Sequence, residues 1–233
     1  MKRRTLLLSG AAALTGVGGY NLYTAMTGSP SALGTSLIEP SAAIAQTTEE
    51  DIVDLSLVQE MEEGNPDAAV TIIEFSSFTC PHCARFNQSV YPDLLESYIN
   101  TGLVRYIKRE VYFDAYGLWA GLVARCGGEM RYFHIAEILY AEQRDWAHAE
   151  DASAVAANLR TIGLRAGMTN DMLDACFADR PLAMAMMQTY QNNVEEFNVR
   201  GTPTFVINGE TYTNMSFPEF QAIIDPLLAE SEG

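Results

Sequence analysis

The stretch Phe75-Ser76-Ser77-Phe78-Thr79-Cys80-Pro81-His82-Cys83 decides the fold of this chain. It follows Val70-Thr71-Ile72-Ile73-Glu74, and this β-branched, mostly apolar run ending at Phe75 predicts a buried strand. Residues 84–100 carry apolar side chains at helical spacing and predict a helix that Pro92 should kink. Two cysteines three residues apart therefore stand where a buried strand passes into a helix.

The elements beyond this motif complete an α/β pattern. Residues 103–108 predict a second strand, and a strand–helix–strand unit is expected to have parallel strands. Residues 115–197 are helical throughout, with breaks for four or five helices. Residues 204–213 predict a hairpin that turns at Asn208-Gly209, and a capping box at residues 216–219 begins the last helix. The order indicates a sheet interrupted by an inserted helical lobe.

This pattern divides the 233 residues into four predicted parts. Residues 1–45 are interpreted as an export signal and residues 46–54 as a linker. Residues 55–113 and 195–230 together form the domain with the sheet, and residues 114–194 form the inserted helical domain. Within the first part of the sheet domain, a short edge strand is expected at residues 55–58 and a turn at 64–67.

The N-terminus has the three parts of an export signal. Lys2-Arg3-Arg4 precedes an apolar stretch at residues 6–20, and Ala43-Ile44-Ala45 predicts cleavage before Gln46. The paired arginines also resemble a twin-arginine signal, so the general and twin-arginine routes both stay open. An uncleaved membrane anchor is the alternative, although residues 6–20 are short for a span that needs about 20 apolar residues.

The charge of the chain argues against one class of partner. The full sequence has 14 basic and 30 acidic residues, a formal net charge of −16. Without the three basic residues and one acidic residue of the predicted signal, 11 basic and 29 acidic residues remain. Such a surface repels phosphate backbones, so no nucleic-acid partner is expected.

The Cys80–Cys83 pair has the features of a redox-active dithiol. A cysteine where a helix begins meets unpaired backbone N–H groups and the positive end of the helix dipole. Cys-x-x-Cys motifs lower the pKa of the first thiol from about 8.5 to a range of roughly 3.5 to 7.5. Pro81 suits an early helical position, and a protonated His82 would add positive charge near Cys80. We therefore expect Cys80 to be the attacked sulfur and Cys83 to resolve the mixed disulfide.

Other chemistry for this pair is less consistent with the sequence. A zinc site would need further ligands, but there is no second Cys-x-x-Cys pair and the chain has only three histidines. Covalent haem attachment would need histidine directly after the second cysteine, where Ala84 stands. No metal or cofactor is expected. A purely structural bridge between Cys80 and Cys83 stays open.

Two motifs together carry a family resemblance. The Cys80 motif and, much later, Gly201-Thr202-Pro203-Thr204-Phe205-Val206-Ile207-Asn208-Gly209 resemble the DsbA-like thiol:disulfide interchange proteins, over about residues 55–230. The resemblance implies a thioredoxin-like fold with an inserted all-helical lobe and a protein disulfide oxidoreductase activity. The Pro81-His82 dipeptide is the one associated with the oxidising branch of that family.

The resemblance also implies roles for residues outside the cysteine motif. Pro203 corresponds to a cis-proline, which would place the Thr202 backbone opposite Cys80, where a substrate strand could pair with it. An ordinary trans proline is the alternative. Glu74 matches a buried acid that acts as a proton relay near the resolving thiol. Threonine at position 202, where the oxidising type mostly has valine, is also common in isomerases.

Cys126 and Cys176 lie fifty positions apart in the helical block. Some DsbA-like proteins carry an extra bridge in this lobe, so the resemblance implies a second disulfide here. Two independent buried thiols are the alternative.

The function implied is that of a monomeric periplasmic dithiol oxidase. It would donate the Cys80–Cys83 disulfide to reduced or unfolded exported proteins and be reoxidised by a DsbB-like membrane quinone reductase. One alternative is a disulfide isomerase or reductase with the same site. The other is a non-catalytic binding protein whose cysteines are only structural.

Overall fold

The computed structural model describes residues 53–231. The predicted export signal at residues 1–45 lies outside this range, as does most of the predicted linker. Across the described residues, every helix is too short or too polar to span a membrane.

A five-stranded mixed sheet forms the centre of the sheet domain. Its strands are β1 (Met61–Gly64), β2 (Val70–Ser76), β3 (Val104–Glu110), β4 (Thr204–Ile207) and β5 (Glu210–Thr213). The spatial order is β1-β3-β2-β4-β5, with β2 and β3 parallel and the other neighbours antiparallel. The predicted parallel pair and the predicted hairpin are both confirmed. Asn208 and Gly209 have φ angles of 46° and 93°, as a tight turn between such strands requires.

The edge strand predicted at residues 55–58 is wrong. Leu55–Leu57 forms a 3₁₀ turn instead, because the Asp54 carboxylate accepts a hydrogen bond from the Ser56 N–H at 3.0 Å. The edge strand in this part of the chain is β1, which ends at Gly64. Gly64 has a φ of +88°, and a Cβ atom there would lie 2.2 Å from the carbonyl oxygen of Val104. Only glycine fits this close approach.

The helix after the cysteine motif is divided into segments. Helix α1 spans Pro81–Ser89, α2 spans Tyr91–Leu94, and a π-helical turn follows at Leu95–Ile99. The predicted interruption near Pro92 is confirmed. Pro92 stands in the first turn of α2, where its missing N–H leaves no helical hydrogen bond unmade.

Six helices, one or two more than predicted, form the helical block within the described residues. They are α3 (Ala115–Cys126), α4 (Glu129–Ala141), α5 (Gln143–Ala147), α6 (Ala152–Arg165), α7 (Asn170–Ala178) and α8 (Arg180–Glu196). Four of these helices have an N-cap residue whose side chain accepts a hydrogen bond from a backbone N–H of the first turn. These residues are Asp114, Asp151, Thr169 and Asp179. The sequence missed α5, which is too short for a clear apolar period.

Both faces of the sheet are covered by helices. On one face, Phe86 of α1 and Phe220 of α9 (Phe217–Ser231) pack on Phe205, with ring centroids 4.7 and 4.9 Å away. The capping box predicted before α9 is confirmed, since the Ser216 N–H donates to the Glu219 carboxylate at 2.7 Å. On the other face lies the second half of α8, a helix that runs without interruption through the predicted domain boundary at residue 194.

Candidate active site

Cys80 and Cys83 occupy the first turn of α1 as two thiols. Cys80 is the N-cap residue, with extended backbone angles (φ −82°, ψ 120°), and its carbonyl accepts the first helical bond from the Ala84 N–H at 3.1 Å. Pro81 is the first helical residue. Cys80 is 8% exposed and Cys83 is fully buried. A thiolate from another protein can therefore reach the Cys80 sulfur but not the Cys83 sulfur.

The surroundings of Cys80 favour its thiolate and lower the pKa of this thiol to about 5. The largest cause is a hydrogen bond from the Cys83 thiol, which is opposed by partial burial. Smaller causes are the Thr202 hydroxyl and the backbone N–H groups of Cys83 and His82. The start of a helix thus supplies part of the stabilisation, as the sequence predicts.

The surroundings of Cys83 act in the opposite direction. Burial, more than any other cause, raises the pKa of the Cys83 thiol far above its ordinary value, and its contact with Cys80 and the negative charge of Glu74 raise it further. The Cys80 sulfur is therefore a good leaving group as a thiolate, whereas the Cys83 sulfur takes up a proton when it is released.

The low pKa of Cys80 is directly testable in the reduced protein. We expect its thiolate absorbance to titrate with a midpoint near pH 5, whereas an ordinary cysteine titrates near 8.5. Because the folded value is the lower one, ionisation stabilises the reduced fold fully above the unfolded pKa. This stabilisation decreases as the pH falls and is lost below about pH 5. The Cys80→Ser variant should show no such titration, and a wild-type midpoint near 8 would contradict the prediction.

The His82 side chain lies beside an arginine. The Arg85 guanidinium donates a hydrogen bond to His82 Nδ1 at 2.6 Å. Both side chains are exposed. His82 acts on Cys80 through its backbone N–H, and the fixed positive charge beside it belongs to Arg85.

The loop before β4 faces the Cys80 sulfur. The Thr202–Pro203 peptide bond is cis, and the Cys80 thiol donates to the Thr202 carbonyl at 3.4 Å. The buried Thr202 hydroxyl makes no close hydrogen bond within the described part of the chain, yet it lies near enough to both sulfurs to lower the pKa of each. The predicted site residues Cys80, Thr202 and Pro203 are thus brought together across 122 positions of sequence.

A buried ion pair lies beneath the site. Glu74 is fully buried on β2, and both Lys108 Nζ and the Tyr106 hydroxyl donate to its Oε2. Its other oxygen, Oε1, has no hydrogen-bond partner among residues 53–231. Lys108 is 1% exposed and lies 5.1 Å from the Tyr140 ring centroid. The sequence predicts Glu74 but not Lys108, although a lysine two residues after Tyr106 in an apolar strand faces the same side.

The helical block also contacts the cysteine motif. The Asp114 carboxylate caps α3 through the Gly117 N–H at 2.8 Å and accepts a bond from the Thr79 hydroxyl at 2.9 Å. Gln143, at the start of α5, donates to backbone carbonyls within the motif. Sequence reasoning missed both residues, because no local pattern marks the partner of a side chain more than 30 positions away.

Cys126 and Cys176 are joined by a disulfide, with their Cα atoms 5.9 Å apart. This bond connects the end of α3 to α7 inside the helical block.

The fold and the site together define a class of protein. A Cys-Pro-His-Cys pair at a helix start, a facing cis-proline loop and a helical block between β3 and β4 are the arrangement of a thioredoxin-fold protein with a helical insertion. A family model described as thioredoxin matches residues 56–226. The chain belongs to this family.

Individual relatives agree with this assignment. A Rickettsia bellii protein, provisionally named a protein-disulfide oxidoreductase, is 29% identical over 174 residues, which cover 74% of this chain and 66% of the relative. The Haemophilus influenzae thiol:disulfide interchange protein DsbA is 28% identical over 183 residues, covering 68% and 80%. The crystal structure of Wolbachia pipientis α-DsbA1 aligns with a TM-score of 0.68 at 22% identity, covering 74% and 92%.

These similarities confirm the predicted resemblance to DsbA-like proteins and the predicted thioredoxin-like fold with a helical insertion. They agree with the predicted enzyme class, protein disulfide oxidoreductase. The chain spans less than two thirds of the length of the Rickettsia relatives it matches, between 61% and 66%.

Proposed function

We propose that this chain is a thiol:disulfide oxidoreductase that acts as a dithiol oxidase on exported proteins. The observation that carries the proposal is the asymmetry of the pair: the pKa of Cys80 is lowered to about 5 while that of the buried Cys83 is raised. A stabilised Cys80 thiolate favours the dithiol over the disulfide. The disulfide form is therefore a strong oxidant of other thiols.

The reaction consists of two thiol–disulfide exchanges. A client thiolate attacks Cys80 Sγ in the Cys80–Cys83 disulfide, forming a mixed disulfide and releasing Cys83, which takes a proton. A second client thiolate then attacks the client's own sulfur in the mixed disulfide, and Cys80 leaves as a thiolate. The client loses two electrons and gains a disulfide, and the oxidoreductase becomes a dithiol.

The cis-proline loop is suited to hold the client during both steps. The Thr202 carbonyl lies 3.4 Å from Cys80 Sγ, in the loop directly before β4. A client segment in extended conformation can pair with the Thr202 backbone and bring its own sulfur to Cys80, as in other cases of strand addition. Pro203 fixes the direction in which the Thr202 backbone faces.

Glu74 is proposed to relay the proton that Cys83 takes up, since its negative charge acts on that sulfur. Removing Glu74 alone would leave the buried Lys108 ammonium unpaired and destabilise the fold. The double variant Glu74→Gln, Lys108→Met avoids this, and we expect it to oxidise a model dithiol about a hundredfold more slowly, the low end of general acid–base effects. Stopped-flow kinetics across a pH series measures this.

The matched control removes a second ion pair from the same sheet. Glu62 and Arg105 join β1 to β3 at the surface, about one third exposed. The double variant Glu62→Gln, Arg105→Met should keep the wild-type rate and pH profile. If the Glu74 double variant oxidises the model dithiol at the wild-type rate, the proposed proton-relay role of Glu74 is contradicted.

The compartment and the partners are part of the proposal. The export signal predicted at residues 1–45 supports a periplasmic location, where disulfides persist. Clients are reduced or unfolded exported proteins, and a DsbB-like membrane quinone reductase takes two electrons from the Cys80–Cys83 dithiol to restore the disulfide. The name of the Haemophilus relative, a thiol:disulfide interchange protein, supports this exchange role. We propose that the protein acts as a monomer.

One experiment separates the oxidase from its alternatives. The redox equilibrium of the Cys80–Cys83 pair is measured against glutathione, together with the oxidation of a reduced model protein and the refolding of a scrambled one. An oxidase gives an oxidising equilibrium and fast oxidation. Efficient refolding of the scrambled protein would favour an isomerase, which Thr202 leaves open, and a Cys80 that resists mild reductant and alkylation would favour a binding protein.

A further inference from the structure

We propose that Gln143, a residue of the helical block, is a positioning residue for Cys80. The inference rests on the proposed redox function and adds a residue to its site. Gln143 Nε2 donates two hydrogen bonds, to the Phe78 carbonyl at 2.8 Å and to the Cys80 carbonyl at 2.9 Å. The side chain is 4% exposed, so these bonds are shielded from water.

The place of Gln143 in the fold makes this contact specific. It is the first residue of α5, directly after the corner that ends α4. Among the described residues of the helical block, Gln143 is the one whose side chain hydrogen-bonds to the backbone of residues 75–83. It crosses from one lobe to the other at the start of α1.

The two accepting carbonyls control the geometry on which the thiolate depends. Cys80 is the N-cap of α1, and its backbone angles direct the sulfur toward the N–H groups at the helix start. Its carbonyl accepts from the Ala84 N–H and, in addition, from Gln143. The Phe78 carbonyl has no other protein donor within residues 53–231. Gln143 therefore stabilises the turn at residues 78–80 and, with it, the direction in which the Cys80 sulfur points.

Glutamine is suited to this task by its chemistry. One amide nitrogen carries two N–H donors, so a single atom can bridge two carbonyl oxygens. The group is neutral and can be buried without the desolvation cost of a charge. The positive end of its dipole also lies against the carbonyl of Cys80, which favours negative charge on the nearby sulfur.

The test compares two glutamines that cross between α1 and the helical block. Gln143→Met has similar length but no donor. The control, Gln88→Met, removes the bond from Gln88 Nε2 to the Tyr140 carbonyl at 3.0 Å, which lies across the same groove and does not involve the motif backbone. The readouts are the titration midpoint of Cys80, the equilibrium constant with glutathione, and thermal unfolding of both variants.

We expect Gln143→Met to raise the midpoint by about one pH unit and to make the equilibrium about tenfold less oxidising, the scale of one hydrogen bond. Gln88→Met should lower only the melting temperature. If Gln143→Met does not fold, Gln143→Asn keeps a neutral amide at this buried position and shortens the side chain by one methylene, which weakens its bridge between the two carbonyls. It should shift the midpoint in the same direction.

Midpoints and equilibrium constants equal to those of the wild type in the folded Gln143 variants would overturn the inference. The same result would leave the proposed function intact, because wild-type oxidation of the model protein is measured separately. If the wild type itself fails to oxidise that protein, the proposed oxidase function is contradicted. The titration still shows whether Gln143 positions Cys80.

Discussion

Replacing Cys80 by serine reduces the oxidation of a reduced client protein to the uncatalysed rate. A serine oxygen cannot form a disulfide, so no bond remains for a client thiolate to attack. Replacing Cys83 by serine has a different outcome. Without Cys83 no internal disulfide forms, so this variant cannot oxidise a reduced client. When glutathione disulfide is supplied, the Cys80 thiolate attacks it and releases glutathione thiolate, and no thiol at position 83 resolves the mixed disulfide that results.

Both outcomes are measurable with a reduced model protein. Its oxidation is followed by the loss of free thiols, and the mixed disulfide that the Cys83 variant forms with added glutathione disulfide is identified by mass spectrometry under non-reducing conditions. The control for removing cysteines is the double variant Cys126→Ala, Cys176→Ala, which should keep the wild-type rate at a temperature where it is folded. Oxidation by the Cys80 variant above background would assign the chemistry to another residue.

That same double variant loses about 4 kcal/mol of unfolding free energy, the second large effect that the structure predicts. The disulfide closes a loop with a sequence separation of 50 residues, and chain-entropy reasoning assigns about 4 kcal/mol to a loop of that length. For a chain of this size, the melting temperature should fall by roughly 10 °C. Denaturant titration of the wild type and the variant, both with the Cys80–Cys83 pair reduced, measures the difference.

The effect should be confined to stability. Cys126 and Cys176 join α3 to α7, and neither is among the causes of the pKa values of Cys80 or Cys83. The titration midpoint of Cys80 should therefore be the same with and without this bond. A loss below about 1 kcal/mol would mean that the bond constrains the unfolded chain much less than a loop of this size implies.

Most of the secondary structure could be predicted because its signals are local. The buried strand before the motif, the hairpin at Asn208-Gly209 and the capping box at Ser216 each depend on residues a few positions apart. The edge strand was misplaced because the turn at Leu55–Leu57 is stabilised by two hydrogen bonds, which the Asp54 carboxylate accepts from the N–H and the hydroxyl of Ser56. A pattern of apolar residues does not reveal such bonds.

The sequence by itself determined the reacting atoms, which are the sulfurs of two cysteines at the start of a helix. Cys80 is the first of them and is followed directly by Pro81. Only the tertiary structure decided what surrounds them. Lys108 pairs with Glu74, Thr202 faces Cys80 across 122 positions, and Gln143 bridges two carbonyls of the motif. Backbone preferences depend on residues that are close in sequence, so they can be read from the sequence. The partner of a buried charge or carbonyl depends on tertiary packing, which brings together residues that are far apart in sequence.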